Sequence, residues 1–202
     1  MRGRQVHARF AAGTLALAAL ALAGCGGGER QDADEPSGTF TVDVVRASFP
    51  AQQRLAQQSQ LRIAVRNGGQ KAVPNVAVTV ESGHVGAPAS PFAEASSQQD
   101  LANPSRPVWI VDAAPRGGDT AYTNTWALGR LAAGQTKTFV WNVTAVKPGV
   151  HTIKYRVAAG LDGKAKARAA DGQEPHGTFT IDISGRPANQ RVAPSGAVED
   201  VP

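Results

Sequence analysis

Few residues of this chain have chemistry to offer. There is one cysteine, Cys25; three histidines beyond the first 24 residues, His84, His151 and His176; and three tryptophans, Trp109, Trp126 and Trp141. A histidine does acid–base or metal work only where other groups converge on it. No His-Glu-x-x-His pair, Cys-x-x-Cys, phosphate-binding loop or Gly-x-Ser-x-Gly is present to place these three in a reaction. His84 and His176 fall in glycine- or proline-bearing loops, and His151 follows Lys147-Pro148-Gly149, so they read as scattered surface residues. Pairing one of them with Asp112 or Asp119 would take convergence in space that spacing alone does not supply. The acidic run Asp32-Ala33-Asp34-Glu35 lies in a glycine-rich stretch, where it reads as a solvated charge run rather than a calcium loop. The expectation is therefore a protein that is not an enzyme and has no cofactor and no metal.

Cys25 has no disulfide partner within the chain and needs another explanation. It follows an uncharged apolar run from Phe10 to Ala23, and Arg2, Arg4 and Arg9 precede that run. A basic start and a short apolar core form the layout of a secretory signal. The run is shorter than the roughly 17–25 residues that a helix needs to cross hydrocarbon. Leu22-Ala23-Gly24-Cys25, a leucine, two small residues and a cysteine, resembles the lipobox of bacterial lipoproteins. That resemblance implies a diacylglyceryl thioether on Cys25 and cleavage just before it. It also implies a further acyl chain, such as palmitate, on the new N-terminus. One chain binds membranes marginally, at about 0.8 kcal/mol per buried methylene, whereas two or three hold firmly. The implied partner is a membrane, reached through lipid on Cys25, and the implied address is the extracytoplasmic face. Gly26, rather than an aspartate, follows the cysteine. By the same resemblance this favours the outer membrane in a cell that has two.

The signal also accounts for much of the basic balance. The chain has 21 basic and 16 acidic residues, a net of +5. Residues 1–24 hold three arginines and no acid, which leaves the rest at +2. Such a balance gives no reason to expect a nucleic-acid partner. From Gly26 to Gly38 nothing apolar is larger than alanine or proline, so burial cannot offset ordering entropy. Residues 25–37 are thus expected to be a flexible tether. Residues 185–202, with three prolines and isolated valines, are expected to be a disordered tail.

Between them, in 38–184, the apolar period is two. Phe40, Val42 and Val44 form one alternating face, and so do Leu61, Ile63 and Val65; Val76, Val78 and Val80; Phe139, Trp141 and Val143; Ile153, Tyr155 and Val157; and Phe179, Ile181 and Ile183. Six such segments predict half-buried antiparallel strands. Weaker candidates lie at 108–111, 121–128 and 164–168. Asn67-Gly68-Gly69, Lys147-Pro148-Gly149 and Asp162-Gly163 supply turn chemistry, the last being a hairpin signal. The fold class expected is all-β, a single antiparallel β-sandwich. Gly38-Thr39-Phe40-Thr41-Val42-Asp43-Val44 recurs as Gly177-Thr178-Phe179-Thr180-Ile181-Asp182-Ile183. The echo suggests that the first and last strands share an edge environment, in one sheet.

Two segments carry a family likeness. Ile63-Ala64-Val65-Arg66-Asn67-Gly68-Gly69 leads to Val73-Pro74-Asn75-Val76-Ala77-Val78-Thr79-Val80. Leu131-Ala132-Ala133-Gly134-Gln135-Thr136-Lys137-Thr138-Phe139 leads to Lys147-Pro148-Gly149-Val150-His151-Thr152-Ile153. Together they resemble the immunoglobulin-like, cell-adhesion-related domains of bacterial envelope proteins. The resemblance implies an immunoglobulin-like sandwich and says almost nothing of activity. The stretch 82–124 departs from that pattern as a long insertion. Long loops in compact domains are commonly functional, so a binding surface is sought there first.

Trp141 shares a face with Phe139 and Val143 and is assigned to the core. Trp109 and Trp126 flank the insertion; core packing is the first reading of each, and stacking on a sugar is the other. Lys164, Lys166 and Arg168 alternate with alanines and read as the charged edge of a sheet, or as a stripe for an anionic polymer. The function expected is a lipid-anchored, non-catalytic interaction or structural module of the cell envelope, partnered by an envelope protein or polysaccharide. The alternative is a polysaccharide- or ligand-binding module using Trp109, Trp126 and the insertion. Spacing and composition do not set an oligomeric state.

Overall fold

The computed structural model describes residues 34–83, 90–94, 107–116, 119–122, 124–196 and 198–201. Cys25, the signal, most of the tether, His84 and much of 84–106 lie outside the described residues. The period-2 segments form strands, and there is no helix among the described residues. In chain order these are β1 (Gly38–Ser48), β2 (Gln52–Leu55), β3 (Gln58–Asn67), β4 (Ala77–Ser82), β5 (Phe92–Glu94), β6 (Trp109–Ala113) and β7 (Asp119–Tyr122). There follow β8 (Thr125–Ala127), β9 (Thr136–Ala145), β10 (Gly149–Ala158), β11 (Ala165–Arg168), β12 (His176–Pro187), β13 (Gln190–Val192) and β14 (Val198–Asp200).

Two six-stranded sheets result, in the orders β11-β1-β3-β9-β6-β5 and β2-β12-β10-β4-β8-β7. The long inner pairs are antiparallel: β3 with β9 from Gln58↔Thr144 to Arg66↔Thr136, and β10 with β12 from Gly149↔Ile183 to Arg156↔His176. Each strand turns its alternating face inward. Leu61, Ile63, Val65, Phe139, Trp141 and Val143 on one sheet meet Val78, Val80, Ile153, Val157, Ile181 and Ile183 from the other in one core. Full burial of such a side chain contributes about 1.5–3 kcal/mol. Aromatic rings line the seam. Trp126 of β8 stands edge-on to Trp141 of β9 with centroids 5.3 Å apart, and Trp141 stacks on Phe139 at 5.8 Å. Gly177 lies opposite Tyr155 in the β10–β12 register, and a Cβ there would overlap the phenol ring.

The all-β sandwich stands, with four departures from expectation. The sheets are mixed: β11 on β1, β2 on β12 and β5 on β6 are parallel pairs, all at sheet edges. The echoed strands β1 and β12 lie in opposite sheets, not in one. What they share is position: each pairs antiparallel with a long inner strand and parallel with a four-residue edge strand. Asp162-Gly163 does not close a hairpin. Both sides of β10 are already occupied by β12 and β4, so the chain crosses to the free side of β1. Finally, 185–202 is ordered in part. β12 runs on to Pro187, the N–H of Ala188 donates to the Leu55 carbonyl at 2.8 Å, and β13 pairs with β14. Backbone pairing holds this segment with little apolar burial, which is why composition missed it.

Trp141→Ala should lower unfolding free energy by about 3–5 kcal/mol in a denaturant titration, as a large aromatic truncation; a loss under about 1 kcal/mol would place the ring outside the core. Burial raises the Tyr155 phenol above its ordinary value of 10.0. Above about pH 10 the unfolded chain therefore releases this proton more readily than the folded one, and stability falls as pH rises. Tyr155→Phe should flatten that alkaline limb in pH-resolved unfolding.

Candidate functional site

The two ends of the sandwich differ, and the difference is built from polar contacts. At one end the Asn67 amide is fully buried. Its Nδ2 donates to the carbonyls of Lys71 (2.9 Å) and Leu131 (3.0 Å), and its Oδ1 accepts from the N–H of Gly69 (2.9 Å). Its main chain adds bonds to the 134–135 corner. The Asn-Gly turn and the Leu131–Thr136 corner, far apart in the chain, are thus stitched together by one side chain. Glu35 joins this end as well. Its carboxylate accepts from the N–H groups of Leu161, Asp162 and Ala165 at 2.5, 2.8 and 2.7 Å. The last residues of the expected tether are therefore docked: composition showed nothing to bury, and the docking runs through main-chain donors.

The first part of the insertion 82–124 leaves at Gly83 and returns at Val108, both at the opposite end. The N–H of Gly83 donates to the Thr152 carbonyl at 2.7 Å, and the N–H of Val146 to the Val108 carbonyl at 2.9 Å. Both lie by the Lys147–Val150 turn, whose Val146 and Val150 are exposed. β10 spans the two ends with ten residues, about 30 Å. The later part of the insertion forms β6 and β7, and β8 follows it directly.

The structure corrects the sugar-stacking reading of Trp109 and Trp126. Trp109 is 0% exposed and Trp126 7%. Trp109 packs against Phe49 (5.3 Å) and His151 (5.9 Å), and its Nε1 donates to Oε1 of buried Gln53 at 2.8 Å. Trp126 lies against Phe92 (6.0 Å) and Trp141. β6 and β8 are short, but each aims its tryptophan into the seam, so no ring face is left for a sugar. The period-2 partners Val111 and Leu128 were too few to fix these faces from sequence.

His151 and His176 are kept apart. His151 is buried, and its Nε2 donates to the carbonyls of Lys147 (3.0 Å) and Pro148 (3.3 Å), pinning the turn. His176 is exposed at the far end of the β10–β12 ladder, with Nδ1 donating to the Glu174 carbonyl at 2.7 Å. Asp112 accepts from the Thr144 hydroxyl at 2.7 Å. Among the described residues no group of three or more His, Cys, Asp or Glu side chains could hold a metal ion.

The basic stripe falls beside a groove that sequence reasoning did not foresee. About 540 Å³ is enclosed between the outer face of β4, β8 and β10 and the 160–168 excursion, with Glu81, Arg156, Lys166, Arg168 and Glu174 among its lining. Arg156 lies 3.5 Å from Glu81, and Lys164 pairs with Asp162 at 2.8 Å. Ala165 and Ala167 are buried, and Lys166 is exposed.

These strands define an all-β, two-sheet sandwich module. No family model and no curated protein matches the chain. Solved structures similar to it include the CARDB domain of a Pyrococcus furiosus protein in complex with di-metal ions. That match has 14% identity and a TM-score of 0.43 over 73% of this chain and 94% of that one. Escherichia coli alpha-2-macroglobulin from domain MG7 to the C-terminus is similar at 17% identity and TM-score 0.43, over 74% of this chain and 17% of that one. A cohesin module from a Clostridium perfringens family 33 glycoside hydrolase follows at 8% and 0.42, over 73% and 99%.

Asn67→Ala would take this partner from the Gly69 N–H and from the Lys71 and Leu131 carbonyls, the last of them buried. It should cost about 1–3 kcal/mol, read by denaturant unfolding, and should speed amide exchange in both 67–71 and 131–135. Exchange confined to 67–71 would show that the two corners are not coupled.

Proposed function

We propose that this protein is a lipid-anchored, non-catalytic interaction module of the cell envelope, held outside the cytoplasmic membrane through Cys25. The observation that carries the reading is Leu22-Ala23-Gly24-Cys25, placed directly after an uncharged apolar run with a basic start. A sole cysteine in an exported chain is accounted for by thioether lipidation.

The polarity of the domain supports the reading. Glu35 ties the chain to one end of the sandwich, ten positions along the chain from Cys25. At most about 3.3–3.6 Å per residue, that leash reaches no further than about 35 Å. The opposite end carries Gly83 and Val108, which flank the first part of the insertion, and the exposed Val146 and Val150, and it is free to meet a partner protein. Exposed apolar side chains beside a long loop suit protein contact. The polysaccharide reading is not advanced, because its two indoles are enclosed.

Cys25→Ala should move the protein from the membrane fraction to the soluble extracytoplasmic fraction. Mass spectrometry of the wild-type N-terminus should show a cleaved chain that starts at an acylated Cys25. A free thiol on an uncleaved chain would refute the anchor.

A further inference from the structure

The Glu35 contact is more than a tie. Three main-chain N–H groups, from Leu161, Asp162 and Ala165, converge on one carboxylate and engage both of its oxygens. Converging backbone donors of this kind form a nest that recognises an anion by geometry, whatever residue supplies it. Gly163, at φ +77°, bends the chain so that the donors point inward. Gly160 does a different job. Its φ is not in the left-handed region, so its backbone does not demand glycine. A Cβ at Gly160 would instead overlap the Glu35 carboxylate, so what its hydrogen leaves open is the seat itself. The side chains of Asp162 and Lys164, within the same turn, pair with each other at 2.8 Å. Recognition therefore rests on the main chain.

The turn that forms the seat also lines the groove. Gly160, Leu161, Gly163 and Ala165 line it together with Lys166 and Arg168. β11 is the outermost strand of its sheet, so an extended chain leaving the seat would pass a free strand edge and two cations. We infer that the Gly160–Ala165 turn is a carboxylate-binding seat that Glu35 fills in cis, and that an acidic peptide takes the same seat in trans when Glu35 is withdrawn. Glu35 competes from the same chain at an effective concentration of about millimolar order. The seat is therefore closed to weak acidic ligands until the tether is pulled away.

The test uses the full chain, ¹⁵N-labelled, in detergent, following the amide resonances of Leu161, Asp162 and Ala165. The probes are sodium acetate and the synthetic peptide Asp32–Gly38, alone and with Glu35→Gln. In Glu35→Ala protein the three resonances should leave their wild-type positions, and the acidic peptide should restore them saturably. Wild type should bind that peptide at least about tenfold more weakly, and the glutamine peptide should bind the variant at least about tenfold more weakly. Gly160→Ala should lose the wild-type resonances and recover them with neither probe, because the Cβ fills the seat. Glu35→Gln is the milder second variant: it keeps side-chain size, removes the charge, and should bind acetate and peptide as Glu35→Ala does. Failure of the acidic peptide to restore the resonances in both Glu35 variants would overturn the proposal. So would restoration in Gly160→Ala, or equal binding of the two peptides.

Discussion

The seam between the sheets rests on two indoles. Trp126 and Trp141 come from opposite sheets and meet edge to face at 5.3 Å, an arrangement worth about 0.5–1.5 kcal/mol beyond the area it buries. Around them Phe139, Phe92, Trp109 and Phe49 extend the contact through ring spacings of 5.3–6.3 Å. The Trp141 Nε1 is buried without a hydrogen-bond partner, a cost of about 1–3 kcal/mol that the enclosed ring must offset. Two sheets locked this way leave their inner faces unavailable, so any partner must meet edges, loops or outer faces. That one constraint removes the indole-stacking route to a ligand.

Edges and ends are where the chain spends its polar groups. Every parallel pair is peripheral, and the three segments involved, β2, β5 and β11, are three or four residues long. Lys166 and Arg168 on β11 are the charged kind of edge residue that discourages pairing between molecules. The same strand pairs with β1, forms one wall of the groove, and donates the Ala165 N–H to the Glu35 carboxylate. Edge protection and groove construction are thus two results of one short strand.

The ends divide the labour. Asn67 and Glu35 act at the end where the tether enters, each drawing together backbone from distant parts of the chain. His151 does a comparable task at the other end, where its ring pins the Lys147–Val150 turn and packs on Trp109. A module with a tied end and a presenting end is asymmetric without any second domain. A lipid at Cys25 would convert that asymmetry into an orientation.

The sequence by itself determined the strands. Alternation at Leu61-Ile63-Val65, Phe139-Trp141-Val143 and Ile153-Tyr155-Val157 follows from a period-2 backbone with one face in oil, and this is a local property. It also supplied the turns and the cysteine motif. Only the tertiary structure decided what pairs with what: that Asp162-Gly163 cannot close a hairpin, that the echoed strands part into two sheets, and that Trp109 and Trp126 face inward. The seat of Glu35 was illegible for the same reason. Its donors are main-chain N–H groups, which every residue but proline carries and no side-chain pattern reveals, and they lie more than a hundred residues from the carboxylate they hold.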